Sequence, residues 1–185
     1  MSDATRMKEC LSKLAKEGIT DEEIVAVLSV LEERLDNAVD FDTMKGYPVI
    51  LNLLSTSTST DVKTACLSLL TTAAQNQSKV QKVLVESEVV QKLLSVLSTT
   101  DMKLKAKTLG CLFSMISNYE PGEKVFLFKN GLNALKTILF SDAESAAVYR
   151  KALVLLLQLS RSETAYMVGL LWSEVTCRGS SCPAS

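Results

Sequence analysis

Residues Val62–Gln81 read VKTACLSLLTTAAQNQSKVQ. Val62, Cys66, Leu67, Leu69, Leu70, Ala73 and Ala74 recur at helical spacing and make one apolar stripe, while Thr64, Ser68, Thr72 and Gln75 stand on another face. The polar run Gln75-Asn76-Gln77-Ser78 breaks the helix, and a new apolar pattern starts at Val80. The chain then repeats the passage. Leu67 returns as Leu109, Leu70 as Leu112, Asn76 as Asn118, Val83 as Val125, Leu93 as Leu135 and Leu97 as Leu139, each 42 residues on. A third copy of the long helix follows at a spacing of 44, with Leu153 answering Leu109 and Leu156 answering Leu112.

A period of about 40–47 residues holding two or three helices is that of the armadillo and HEAT solenoids. Single units of this kind cannot bury their apolar faces, so they stack and share one core. The expected fold class is therefore all-α, an armadillo-like right-handed superhelix of about three repeats behind an N-terminal helical cap. The expected division is 1–35 for the capping helices, 36–77, 78–119 and 120–162 for the repeats, and 163–185 for a short helix and an unpatterned tail.

Within that frame the chain gives its own boundaries. Residues 4–17 carry Met7, Leu11 and Leu14 on one side and end at Gly18. Thr20-Asp21-Glu22-Glu23 has the form of a capping box before Ile24, Val27, Leu28, Leu31 and Leu35. A short helix after Asp36 is expected to stop at Gly46, and another to run from Val49 to Leu54 behind Pro48. The STSTST run over 55–60 reads as a polar connector, with Thr60 or Asp61 capping the long helix. Ser98–Asp101 and Asp142–Ser145 mark the same turn in the later repeats. Lys103, Lys105 and Lys107 crowd the start of the second long helix, where positive charge opposes the helix dipole. Gly110 lies inside that helix at a cost of about 1 kcal/mol against alanine, which suggests a close approach by another helix or a ligand. The third long helix is apolar almost all round through Leu153, Leu155, Leu156, Leu157 and Leu159, so cover on both sides is expected, in part from residues 163–172.

Composition narrows the function. Apolar residues make up 47% of the 185 and charged residues 22%, and 20 basic residues balance 21 acidic ones. No basic excess points to nucleic acid, and no apolar run is long enough to span a bilayer. The N-terminal residues lack an apolar signal region, so a cytoplasmic location is expected. The absence of histidine removes Ser-His and Cys-His nucleophile pairs and imidazole metal sites. No catalytic set, metal site or cofactor is expected. Cys10, Cys66 and Cys111 fall on apolar stripes and read as core, and Cys177 and Cys182 lie in the tail.

Local wording is more specific than the frame. Leu35-Asp36-Asn37-Ala38, Asp40-Phe41 and Gly46 resemble the opening of the core domain in the armadillo-type nucleotide exchange factors of DnaK-type, seventy-kilodalton heat-shock chaperones. Ala73-Ala74-Gln75-Asn76 with Val80-Gln81 is similar to that family's most recognisable stretch, and Asn118-Tyr119 with Pro121-Gly122 to the turn one repeat later. The resemblance covers about residues 20–160. The family usually continues with another repeat, so a C-terminally shortened form is expected. The resemblance implies a co-chaperone that clasps the chaperone's ATPase domain with its concave face and promotes ADP release.

Helix geometry then nominates Ser68, Gln75 and Asn76, with Lys107, Ser114 and Asn118 and with Arg150 and Gln158, as groove residues. For the asparagines, a helix-end role joining neighbouring repeats is the competing reading. The alternative function is an armadillo adaptor holding an extended peptide, which would display tryptophans and asparagines in a ladder over an acidic floor. The one tryptophan, Trp172, lies beyond the repeats.

Overall fold

The computed structural model describes residues 3–35, 38–161 and 169. Asp36 and Asn37, the short helix expected over 163–172 (Gly169 apart), Trp172, Cys177 and Cys182 lie outside the described residues. Eleven helices and no strand occur among the described residues. Helices α1 (Asp3–Leu14) and α2 (Asp21–Glu32) come first. Three triplets follow: α3 (Ala38–Thr43), α4 (Gly46–Thr56) and α5 (Thr60–Ala74); α6 (Ser78–Glu86), α7 (Val89–Val96) and α8 (Met102–Ile116); α9 (Glu120–Phe128), α10 (Gly131–Leu139) and α11 (Ala146–Leu159). The long helices stack in the order α2, α5, α8, α11. The stripe read from α5 is the set of residues that helix buries, from Val62 to Ala74.

Each long helix starts on a side-chain cap placed at the repeat spacing. Ser59 Oγ accepts from the Val62 amide at 3.4 Å, Asp101 Oδ1 from Leu104 at 2.9 Å, and Ser145 Oγ from Val148 at 3.3 Å. The cap of α5 is thus Ser59, not Thr60 or Asp61. The Ser57 hydroxyl accepts from the Ser59 amide and sets the turn one residue early, as Thr99 does for Asp101. The capping box on α2 is present in both directions, with Thr20 N donating to Glu23 Oε2 at 3.0 Å and Glu23 N to Thr20 Oγ1 at 3.3 Å.

Gly46 and Gly131 do not end helices; each begins one. The left-handed turn falls one residue earlier, at Lys45, Glu88 and Asn130, with φ of 56°, 57° and 66°. What requires glycine after it is the phenylalanine five residues back. A Cβ on Gly46 would lie 2.4 Å from Phe41 Cζ, and one on Gly131 2.4 Å from Phe126 Cζ. In the middle repeat the same two positions hold Leu84 and Val89, both buried. The smaller leucine leaves room for the valine.

Polar ties fix the triplets to one another. Buried Gln81 on α6 donates through Nε2 to the carbonyls of Ser114 (2.8 Å) and Ser117 (3.0 Å) at the end of α8, satisfying acceptors that the helix leaves open. Lys105 points away from its neighbours in the lysine run and pairs with Glu144 in the turn before α11, both side chains less than a tenth exposed. Burial pushes the Cys66 and Cys111 thiols up to about 12, so both behave as small apolar groups of the stack.

The Phe/Gly and Leu/Val pairs give a direct test of this packing. Gly131→Val alone should cost at least about 2 kcal/mol by overpacking against Phe126. Combined with Phe126→Leu it should lose clearly less than the two single losses added, by urea denaturation. Simple additivity would show that the two positions are not one packing unit.

Candidate functional site

Long helices α2, α5, α8 and α11 present one continuous face, because the stripe on each that is not buried in the stack points the same way. Carrying the 42- and 44-residue spacings along it aligns Ala65, Lys107 and Lys151 in one row. Ser68, Gly110 and Val154 form a second, and Thr72, Ser114 and Gln158 a third. Two clefts run between the helices. The first, between α2 and α5, is lined by Asp21, Glu22, Val25, Ser29 and Glu32 on one side and Asp61, Thr64, Ala65 and Ser68 on the other, with Lys103 at its rim. The second, between α8 and α11, has Leu109, Gly110, Phe113, Ala147 and Val154 on its floor and walls and Arg150 and Lys151 at its edge.

Lys107 bridges the two halves. Its Nζ donates to Ser68 Oγ at 3.0 Å across the α5–α8 seam. Lys103 Nζ stands 4.0 Å from Asp61 Oδ1 on the same seam, with both side chains mostly exposed. Such a contact adds little stability. Glu32 Oε1 accepts from Thr72 Oγ1 at 2.9 Å and ties α2 to α5. Electrostatically the face is divided, with carboxylates over α2 and the start of α5, and ammonium and guanidinium groups over α8 and α11.

The nominated residues separate into two groups. Ser68 and Lys107 touch, and half-buried Ser114 and Gln158 lie in line with Thr72 on this face. Arg150 is exposed beside the second cleft, its Nε donating to the Ala146 carbonyl at 3.4 Å. Gln75, Asn76 and Asn118 sit elsewhere, at the helix ends. Gln75 is the C-cap of α5, and exposed Asn76 and Asn118 take φ of 58° and 57° where the chain turns into the next repeat. Asparagine is among the few residues that occupy this left-handed conformation readily. Lys151, Val154 and the α2 carboxylates belong to the face but were not nominated. Lys151 was within reach of the sequence, since it stands 44 residues after Lys107. The α2 residues carried no such signal, because α2 lies outside the repeated passage.

No cluster of three or more His, Cys, Asp or Glu among the described residues is placed to hold a metal. None of the described helices is long and apolar enough to cross a membrane. A family model described as the SIL1/FES1/HPBP1 C-terminal domain matches residues 37–167. The chain belongs to that family. Among relatives of the SIL1/FES1/HPBP1 domain, the Hsp70 nucleotide exchange factor FES1 of Scheffersomyces stipitis is 30% identical over 138 residues, covering 72% of this chain and 49% of that protein. The nucleotide exchange factor SIL1 of Mus musculus is 31% identical over 160 residues, covering 84% of this chain and 34% of its own length. The chain thus spans between a third and a half of these relatives. A designed armadillo repeat protein superposes with a TM-score of 0.79 at 12% identity, covering 97% of this chain and 76% of its own, which establishes the armadillo fold.

Gly110 lies on the floor of the second cleft. A Cβ there would meet only Lys151 Nζ, at 3.0 Å, the far end of a flexible side chain. Gly110→Ala should therefore raise the unfolding free energy, by up to about 1 kcal/mol from helix propensity. Circular dichroism melts check this, and a lowered midpoint would show that α8 and α11 need the glycine to pack.

Proposed function

We propose that this chain is a co-chaperone that binds the ATPase domain of a DnaK-type heat-shock chaperone in the cytosol and promotes release of ADP. The observation that carries this reading is the overlap of two independent facts. The family match over residues 37–167 includes all three repeats, and the α5, α8 and α11 stripes of the long-helix face lie within the same residues. Names of relatives such as Hsp70 nucleotide exchange factor supply the reaction class.

The mechanism needs no chemistry from this chain. A rigid stack clasps one lobe of the ATPase domain, and it fits a tilted or opened lobe better than the closed, ADP-bound form. Binding then shifts the population toward the open form, and ADP leaves. Linkage requires the reverse effect in equal measure, so bound nucleotide weakens the grip of the stack and ATP rebinding releases it. The three repeats act as one body because each long helix is packed against the next, and a face spread over several helices can hold an open lobe only if those helices do not shear.

Stopped-flow release of a fluorescent ADP analogue from a cytosolic DnaK-type chaperone tests this. Release should accelerate with rising concentration of the protein and then saturate. Binding without acceleration would replace exchange with inhibition, and absence of binding would remove the chaperone reading altogether.

A further inference from the structure

We propose that the long-helix face is electrically polarised so as to accept a partner in one direction only. The α2–α5 cleft takes a basic patch of the partner's surface, and the α8–α11 cleft takes an acidic patch that adjoins an apolar one. This rests on the proposed function for its partner, and adds the chemistry and orientation of the contact.

Ordinary helix electrostatics does not explain the division. Asp21, Glu22 and Asp61 lie in the first turns of α2 and α5, where negative charge is favourable in any helix. Glu32, however, closes the C-terminal end of α2, where negative charge is disfavoured, and still faces the same cleft. Lys103, in the first turn of α8, stands at the rim of the acidic cleft 4.0 Å from Asp61 Oδ1 and offsets part of that cleft's charge. Arg150 and Lys151 follow in the first half of α11 beside Val154, which is 50% exposed. Glu32 is thus held against its helix dipole on the acidic half, where it also accepts from Thr72 Oγ1, while the basic half sets Arg150 and Lys151 together at the edge of an apolar cleft.

The geometry sets the spacing the partner must match. Packed helices lie about 8–10 Å apart, so two clefts separated by two helix spacings stand roughly 16–20 Å from each other. Both fall within one side of a single globular domain. The halves also differ in kind. The acidic cleft is lined by the carboxylates of Asp21, Glu22, Glu32 and Asp61 and the hydroxyls of Ser29 and Ser68, which suits a lysine or arginine head. The basic cleft has an apolar floor at Gly110, Phe113 and Val154, where an apolar side chain flanked by carboxylates would be covered. Complementary charge of this form steers encounter and fixes register more than it adds affinity.

Zero-length carbodiimide cross-linking of the unaltered chain to a full-length DnaK-type chaperone tests the direction, since it joins carboxylates to amines only where they touch. Asp21, Glu22 or Glu32 should link to chaperone lysines, and Lys107 or Lys151 to chaperone carboxylates in a separate patch. Glu22→Lys and Lys151→Glu should each weaken binding at least threefold at low salt and less at high salt, while Lys92→Glu on α7 leaves it unchanged. Failure of the unaltered chain to bind would overturn the chaperone reading and this inference with it. Binding with cross-links from one half only, or with Glu22→Lys as tight as the original, would overturn the polarity alone. Equal binding of Lys151→Glu would do the same.

Discussion

Helices of 14 or 15 residues such as α5, α8 and α11 are marginal by themselves in water, because the cost of nucleating a helix is recovered only slowly along its length. Here each is held by the next. α5 lies between α2 and α8, and α8 between α5 and α11. Removing one member would uncover two faces, which is why stability in such a stack is a sum of repeats and the interfaces between them. Among the described long helices α11 feels the constraint most. Tyr149 and Leu157 on α11 occupy the places that Lys105 and Phe113 hold on α8, yet they are 37% and 39% exposed. The cover expected on both sides of α11 is thus incomplete among the described residues.

The same constraint explains how the repeats diverge without losing register. A ring five residues before the second helix needs glycine there, and a leucine permits valine. The Lys105–Glu144 pair locks the second repeat to the turn of the third at a buried position, where loss of either partner would strand a charge. These are local solutions to one packing problem, and they leave the outer stripe of each long helix free to carry other chemistry.

Much of this was legible in the residues. Apolar periodicity marked the long helices and their buried faces, and the recurrence of Leu67, Leu70, Asn76, Val83, Leu93 and Leu97 at 42 residues marked the stack. Boundaries were harder for a physical reason. A glycine between two short helices reads as a helix end, whereas Gly46 and Gly131 answer a ring packed against them, a contact that no local pattern reports. Lysines at every second position crowd the start of α8 in the sequence, but helical geometry sends Lys103 and Lys107 to the open face and Lys105 into the core. The face itself was half legible. Polar residues spaced along a helix can be counted, but only the stack shows that Ser68 meets Lys107 and that Asn76 and Asn118 turn the chain between repeats.

In this chain the exposed stripes of the stacked long helices form one continuous face, which we propose is the binding surface. Hydrogen–deuterium exchange of the full chain, with and without the ATPase domain of a DnaK-type chaperone, tests that claim most directly. Added protection is expected in α2, α5, α8 and α11, with α4, α7 and α10 unchanged. Protection confined to α4, α7 and α10 would contradict it, and would put the partner on the opposite side of the stack.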